Sequence, residues 1–271
     1  MGCMGLHAQN YHINLHRSGI ITYDNDVNTI EEIRFEGYNP AIMVINDDSG
    51  ANAFHITKID SITFYKEQVI PPAGDTVYII YGGNTVNIVN PFANDGVTVT
   101  ANAANVTVSA TRANVPYVVS GASANGSLTV YSTASYLMIL RSLSLTSGTS
   151  AALNLASDSN ASLLLQGMSS IVDNANSSVN GALYAAGNLS IGGTGTLQVI
   201  GNAKHGILVD GTMTMNSGTI HIIDTDSDGI HGNSNLVWNN GTLNIASAGS
   251  DGLDISGAIT IGNGTLTINT T

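Results

Sequence analysis

Three short phrases recur along the last third of the chain at a fixed step of 23 residues. Gly206, Gly229 and Gly252 mark the first, each followed by Ile or Leu. The triplets Met213-Thr214-Met215, Leu236-Val237-Trp238 and Ile259-Thr260-Ile261 mark the second. The third runs through Leu197-Gln198-Val199, Ile220-His221-Ile222, Leu243-Asn244-Ile245 and Leu266-Thr267-Ile268, each behind a Gly-Thr or Asn-Gly turn signal. Three strands in so short a repeat cannot bury a face alone, but copies of the repeat can stack on one another. Within each triplet the outer residues are apolar and the middle one varies, so one face points inward. The pattern predicts an all-β chain built as a right-handed parallel β-helix, with three strands per rung of about 23 residues and rungs about 4.8 Å apart. Trp238 takes the inward slot of Met215 and Ile261, and Tyr184 is assigned the inward slot of Val209 and Ile255.

Upstream the period loosens. Residues 76–89, 96–108, 117–119, 127–131, 136–140 and 152–155 read as strands of earlier rungs. Ala152 and Ala182 stand 30 residues apart, so residues 167–179 are expected to protrude as a loop. The solenoid is expected over residues 76–271, continuing into further C-terminal rungs because the repeat stops in mid-pattern without a polar cap.

Residues 10–67 read as a separate small β module. Ile30/Ile33 and Ile56/Ile59 each lead into an alternating Ile-x-Phe strand, and residues 11–15 and 20–23 are further strand candidates. His12, His16 and His55 are too loosely spaced for a metal and read as strand or surface residues. Residues 68–75, with Pro71-Pro72, form a linker. Residues 1–9 resemble the end of a processed secretory leader, with Cys3 a leftover of it, so a secreted or cell-surface location is expected.

Acids outnumber bases 19 to 7, giving a formal charge of −12. Nucleic-acid binding needs a basic footprint that this chain lacks. One cysteine excludes an internal disulfide framework, and no apolar run is long enough to span a bilayer.

Two constellations carry chemistry. Asp224-Thr-Asp226-Ser-Asp228-Gly229 alternates carboxylates ahead of a glycine, as the first half of a calcium loop does, although Asn235 stands where an EF-hand needs its bidentate acid. Asp251, one step on, could complete a calcium site with Asp224, Asp226 and Asp228. In the same column Asn180, His205, Asp228 and Asp251 each precede the repeat glycine. The second constellation is the outward side of the first strand. Alignment on the glycines stacks Leu183, Leu208, His231 and Asp254, and beside them Ala185, Asp210, Asn233 and Ser256. Asp210, His231, Asn233 and Asp254 would offer directional hydrogen bonds to sugar hydroxyls. A polysaccharide lyase would need a base and neutralisation of a uronate. After residue 73 the cations are Arg112, Arg141 and Lys204, and Lys204 is the one candidate base near the acids.

The segments Asn180-Gly-Ala-Leu-Tyr184, Lys204-His-Gly-Ile207, Ser217-Gly-Thr-Ile220 and Ser227-Asp-Gly-Ile230 resemble the clostridial cellulosome-associated carbohydrate-binding β-helix family. The likeness covers roughly residues 76–271. It implies a solenoid related to pectate-lyase folds, with calcium sites and binding to plant-type polysaccharide. Asp228 and Asp251 match the family's Asp-Gly-Ile acids, whereas His231 and Asp254 stand where it carries Lys or another polar residue. Such a surface is less suited to bind an anionic polymer such as pectin directly, unless calcium bridges the two. The Ile59-to-Phe64 ending resembles a short β module of secreted Bacteroidetes proteins. The resulting expectation is a secreted, noncatalytic, calcium-assisted carbohydrate binder. A calcium-dependent lyase is the first alternative, and a structural stalk or adhesin the second.

Overall fold

A computed structural model describes residues 11–17, 20–26, 30–36, 42–47, 50–59, 61–66 and 74–270. The leader-like residues 1–9 and most of the expected linker lie outside them. The chain divides into two compact units, Met1–Pro71 and Pro72–Thr271. No helix among the described residues is long and apolar enough to cross a membrane.

The first unit holds two antiparallel three-stranded sheets. Tyr11–Arg17 lies between Ile20–Asp26 and Ser61–Lys66. Ile42–Asp47 lies between Ile30–Glu36 and Gly50–His55. Leu15, Met43 and Ile45 form its core, with Ile30, Phe54 and Ile59 packed against them. Ile56–Lys58 form a single 3₁₀ turn ahead of the Ser61–Lys66 strand.

The second unit is the stacked solenoid. One parallel face runs through Asn105–Ala110, Ser127–Ser132, Leu153–Leu155, Gly181–Ala185, His205–Val209, Ile230–Gly232 and Leu253–Ile255. A second runs through Ala161–Gln166, Leu189–Gly193, Met213–Met215, Leu236–Trp238 and Ile259–Ile261. The third runs through Met168–Val172, Thr196–Gly201, Thr219–Thr225, Thr242–Ile245 and Thr265–Ile268. Tyr136–Thr146 is long enough to serve both of these faces, pairing Ala161–Gln166 with its first half and Met168–Val172 with its second.

Apolar residues stack at the step read from the repeat. Ile207 pairs with Ile230 and Ile230 with Leu253; the first two are fully buried and Leu253 packs against the same core. Trp238 sits between Met215 and Ile261 in register and is buried. The corner just before these strands is made by glycine. A Cβ on Gly229 would stand 2.7 Å from the Gly252 carbonyl oxygen and 2.7 Å from the buried Ile245 side chain. On Gly206 it would meet the Gly229 carbonyl oxygen at 2.8 Å and the Thr225 and Ile222 side chains. Both positions therefore face inward at a place with no room for a side chain.

Three expectations differ from the structure. Tyr184 pairs with Leu208, and Leu183 with Ile207, so Leu183 is the inward residue and Tyr184 faces outward. The registered step between Leu183 and Ile207 is 24 residues, whereas the glycines Gly181 and Gly206 are 25 apart. Alignment on those glycines slips by one, and a slip of one exchanges the two faces of a strand. Residues 167–179 are not one protruding loop: Met168–Val172 is a rung strand with Ser169 and Ile171 buried, and the Ser169 hydroxyl accepts the Leu143 amide at 3.0 Å. Finally, the first strands of the unit form antiparallel hairpins, Val77–Gly82 with Thr85–Val89 and Val97–Asn102 with Asn105–Ala110. Their two-residue turns include Gly83 at φ 71° and Ala103 at φ 52°, and a tight reversal of that kind turns the chain back beside itself.

The stacked column sets a stability expectation. Ile207→Ala should cost about 2–4 kcal/mol, the usual range for emptying a buried aliphatic site. Gly229→Ala should also lower the melting temperature, because backbone must move to admit the Cβ. Thermal melting followed by circular dichroism checks both, and an unchanged melt for Ile207→Ala would contradict the register.

Candidate functional site

The glycine corner determines what reaches the outer surface of the first face. Gly206 and Ile207 both point inward, so the outward positions fall at 205 and 208, three residues apart. The same holds for Asp228 and His231 around Gly229, and for Asp251 and Asp254 around Gly252. Two outward columns result, one of His205, Asp228 and Asp251, the other of Tyr184, Leu208, His231 and Asp254.

These columns converge into one cluster. Asp228 Oδ2 lies 3.0 Å from His205 Nδ1 and 3.1 Å from His231 Nδ1. His231 Nδ1 is also 2.9 Å from Asp254 Oδ2. The two imidazoles stack with centroids 4.5 Å apart and planes inclined by 23°. The other Asp228 oxygen accepts the Asp251 amide at 3.1 Å and lies 3.3 Å from the Ser227 hydroxyl. Exposure rises across the cluster, from 2% for the His205 side chain and 6% for Asp228 to 23% for His231 and 46% for Asp254.

Burial, with His231 as a like neighbour, pushes His205 down to about 4, against the weaker pull of Asp228. Burial alone would raise Asp228, but the Asp251 amide, His231 and His205 together hold it below the usual carboxylate range. His205 Nδ1 is buried and, despite its 3.0 Å approach to Asp228, is not aligned for a hydrogen bond.

A second network lies along the edge of the same face. The Tyr184 hydroxyl donates to Asp210 Oδ2 at 2.6 Å, and Asn233 Nδ2 donates to Asp210 Oδ1 at 2.6 Å. The bond to Asp210, with burial second, pushes the Tyr184 phenol up to about 12. Asp210, Asn233 and Ser256 follow one another at the strand exit, each amide bonded to the rung before: to Ala185, Val209 and Gly232 respectively.

The structure thus brings His231 and Asp254 into one group and Asp210 and Asn233 into another. Lys204 is exposed. Arg112 is engaged elsewhere, paired with Asp95 and lying over the Phe92 ring, and Arg141 bonds Gln166. The expected calcium set does not assemble. Asp224, Asp226 and Asp251 are exposed. Among the described residues, the His/Cys/Asp/Glu group whose ligand atoms all lie within 4.8 Å is His205, Asp228 and His231. Asp228 turns toward imidazoles because it sits at the outward corner position, while Asp224 lies near the end of the Thr219–Thr225 strand and Asp226 in the bend that follows it. The residues present therefore do not fit an all-oxygen calcium cage. The sequence placed His205 in one column with Asp228 without giving it a site role, and it missed Tyr184 as an outward group. The signal that joins His231 to that column was its spacing of three from Asp228 across a corner glycine.

The family model of carbohydrate-binding domain-containing proteins matches residues 102–271. The chain belongs to that family. Among solved structures, the polysaccharide lyase-like protein from C. thermocellum, in its gadolinium derivative, aligns with a TM-score of 0.63 at 21% identity. The alignment covers 72% of this chain and 83% of that one, and it shows a shared fold. No curated protein matches the chain.

The His205 shift has a testable sign. Its folded-state value is depressed from 6.5 to about 4, so its contribution to stability is complete above the unfolded value and lost as pH falls toward 4. In buffer containing chelator, the melting temperature should drop between pH 6.5 and 4, and His205→Gln should flatten that dependence. A parent and variant with parallel pH profiles would contradict the assignment.

Proposed function

We propose that this chain is a secreted, noncatalytic carbohydrate-binding β-helix that lays a neutral plant-type or cell-surface polysaccharide along its first face. The observation that carries the reading is the Tyr184–Asp210–Asn233 network, found on a chain whose family is defined by carbohydrate-binding domains. Both Asp210 oxygens are already held, so the carboxylate presents its remaining lone pairs in fixed directions. Sugar hydroxyls can donate to those lone pairs and accept from the remaining Asn233 amide hydrogen. The Tyr184 ring offers an apolar surface for the C–H side of a sugar. Because these groups sit on backbone pinned rung by rung, little conformational freedom is lost on binding.

Charge favours a neutral polymer. The stretch from 224 to 254 holds Asp224, Asp226, Asp228, Asp251 and Asp254 and no Lys or Arg, which repels a polyuronate. The same feature speaks against lyase chemistry, which must neutralise a uronate carboxylate before a proton can leave. Lys204 alone cannot serve both as base and as that counter-charge. The reading needs no calcium, because the groups that carry it are held by Tyr184 and Asn233. A polymer of this kind is met outside the cell, in keeping with a secreted protein.

Affinity electrophoresis tests the reading. Migration should be retarded in gels containing xylan or mixed-linkage glucan and not in gels containing polygalacturonate. Asp210→Ala should weaken retardation tenfold or more, and Tyr184→Phe several-fold, because the phenol is needed to fix Asp210. With polygalacturonate, no unsaturated-uronate absorbance should develop, with calcium or without. Free migration of the parent protein in every gel would overturn the proposal.

A further inference from the structure

We propose that His205, Asp228 and His231 form a binding site for a divalent transition metal of the zinc class, open to solvent on the side of Asp254. The inference is independent of the carbohydrate reading. It begins from an imbalance in the cluster. Two Nδ1 atoms and two carboxylate oxygens make three close approaches, at 3.0, 3.1 and 2.9 Å. A neutral imidazole carries one proton on one of its two nitrogens, and a carboxylate carries none. His231 Nδ1, even as a donor, would share one proton between Asp228 and Asp254. His205 Nδ1 is 3.0 Å from Asp228 yet unaligned for donation, and it is buried without another hydrogen-bond partner. A buried polar atom left in that state is costly.

A cation among these atoms resolves the imbalance. Metal bonds of about 2.0–2.1 Å to imidazole nitrogen and carboxylate oxygen place neighbouring ligand atoms roughly 2.9–3.4 Å apart, depending on coordination geometry. The observed 3.0 and 3.1 Å lie in that range, and all three ligand atoms are within 4.8 Å of one another. Two imidazoles among three ligands select against calcium and magnesium, which take oxygen, and in favour of zinc, cobalt, nickel or copper. The second Asp228 oxygen is fixed by the Asp251 amide at 3.1 Å, an orienting contact of the kind that supports metal-bound carboxylates. The exposure gradient from His205 outward to Asp254 supplies an entry path and leaves a coordination position facing solvent. The ligands are already collected from two adjacent rungs that pair in register, so little chain ordering is required.

The test uses the full chain stripped with chelator and titrated with Zn²⁺, Co²⁺ or Ca²⁺. Calorimetry should give one high-affinity Zn²⁺ site per chain, at least tenfold tighter than any Ca²⁺ site. Co²⁺ should produce visible absorption bands of nitrogen ligation at the same stoichiometry. His231→Gln, at a partly exposed position, should fold as the parent does and bind Zn²⁺ at least tenfold more weakly. His221→Gln, on another face, should leave binding unchanged and exclude capture by unrelated histidines. Absence of Co²⁺ bands in the parent protein, equal affinity for Zn²⁺ and Ca²⁺, or Zn²⁺ affinity unaltered by His231→Gln would each overturn the site. The Co²⁺ spectrum is read on the unmodified chain, so the outcome does not depend on any variant folding.

Discussion

The corner glycines at 206, 229 and 252 fix the rest of the second unit. A parallel ladder repeats every side chain above its counterpart on the next rung, so whatever one corner does, all the corners must do together. Because the glycine and the residue after it both face inward, the period-two alternation is reset at that point. Side chains three apart are then presented on the same outer surface. Without the reset, Asp228 and His231 would lie on opposite faces of the strand, and no cluster could form. A Cβ at 206 or 229 would press on the backbone of the adjacent rung, and one at 252 on the Ile268 side chain, so the geometry that aligns the columns also leaves no room for a larger residue.

Stacking in register has an electrostatic consequence. Identical acids in one column would face each other about 4.8 Å apart, where like charges repel by several tenths of a kcal/mol even in water and by more when screened from it. The columns limit this by placing an imidazole one rung before a carboxylate and by leaving Asp251, which follows Asp228 in its own column, exposed to water. His205 precedes Asp228 in one, and His231 precedes Asp254 in the other. Asp228 and Asp254 therefore each meet an imidazole across the rung, and the buried member, Asp228, is the one with the most partners. The acids left without such partners, Asp224, Asp226 and Asp251, are exposed to water.

The architecture was legible wherever the repeat was strict. The step of 23 placed Ile207, Ile230 and Leu253 inside, and the triplet alternation placed Trp238 in the core. It failed where spacing changed. One residue more between Gly181 and Gly206 was enough to turn Tyr184 from an outward hydrogen-bonding group into an expected core residue. The strand at Met168–Val172 was hidden because its buried positions include Ser169, whose hydroxyl is satisfied by a backbone amide on the neighbouring rung, a contact invisible to a hydropathy pattern. The calcium reading followed the alternation Asp-x-Asp-x-Asp, which presumes that the segment coils around a cation. In the solenoid those residues turn a corner instead, and Asp224 belongs to the end of the Thr219–Thr225 strand.

The two polar networks share a face but differ in how their atoms are satisfied, and that difference separates their roles. In Tyr184–Asp210–Asn233 each contact has a donor and an acceptor at normal distance, and the group remains partly exposed with capacity to spare. Such a surface can exchange water for sugar hydroxyls at small cost. In the cluster of His205, Asp228, His231 and Asp254 the contacts are longer, at 3.0, 3.1 and 2.9 Å, the three of them share at most two Nδ1 protons, and the innermost nitrogen is cut off from water. Water cannot relieve that deficit at His205, and a sugar hydroxyl would have to pass the stacked imidazoles to reach it. A small cation can enter from the Asp254 side and bind every lone pair at once. The same rung geometry thus builds an adaptable surface where partners are complete and a selective one where they are not.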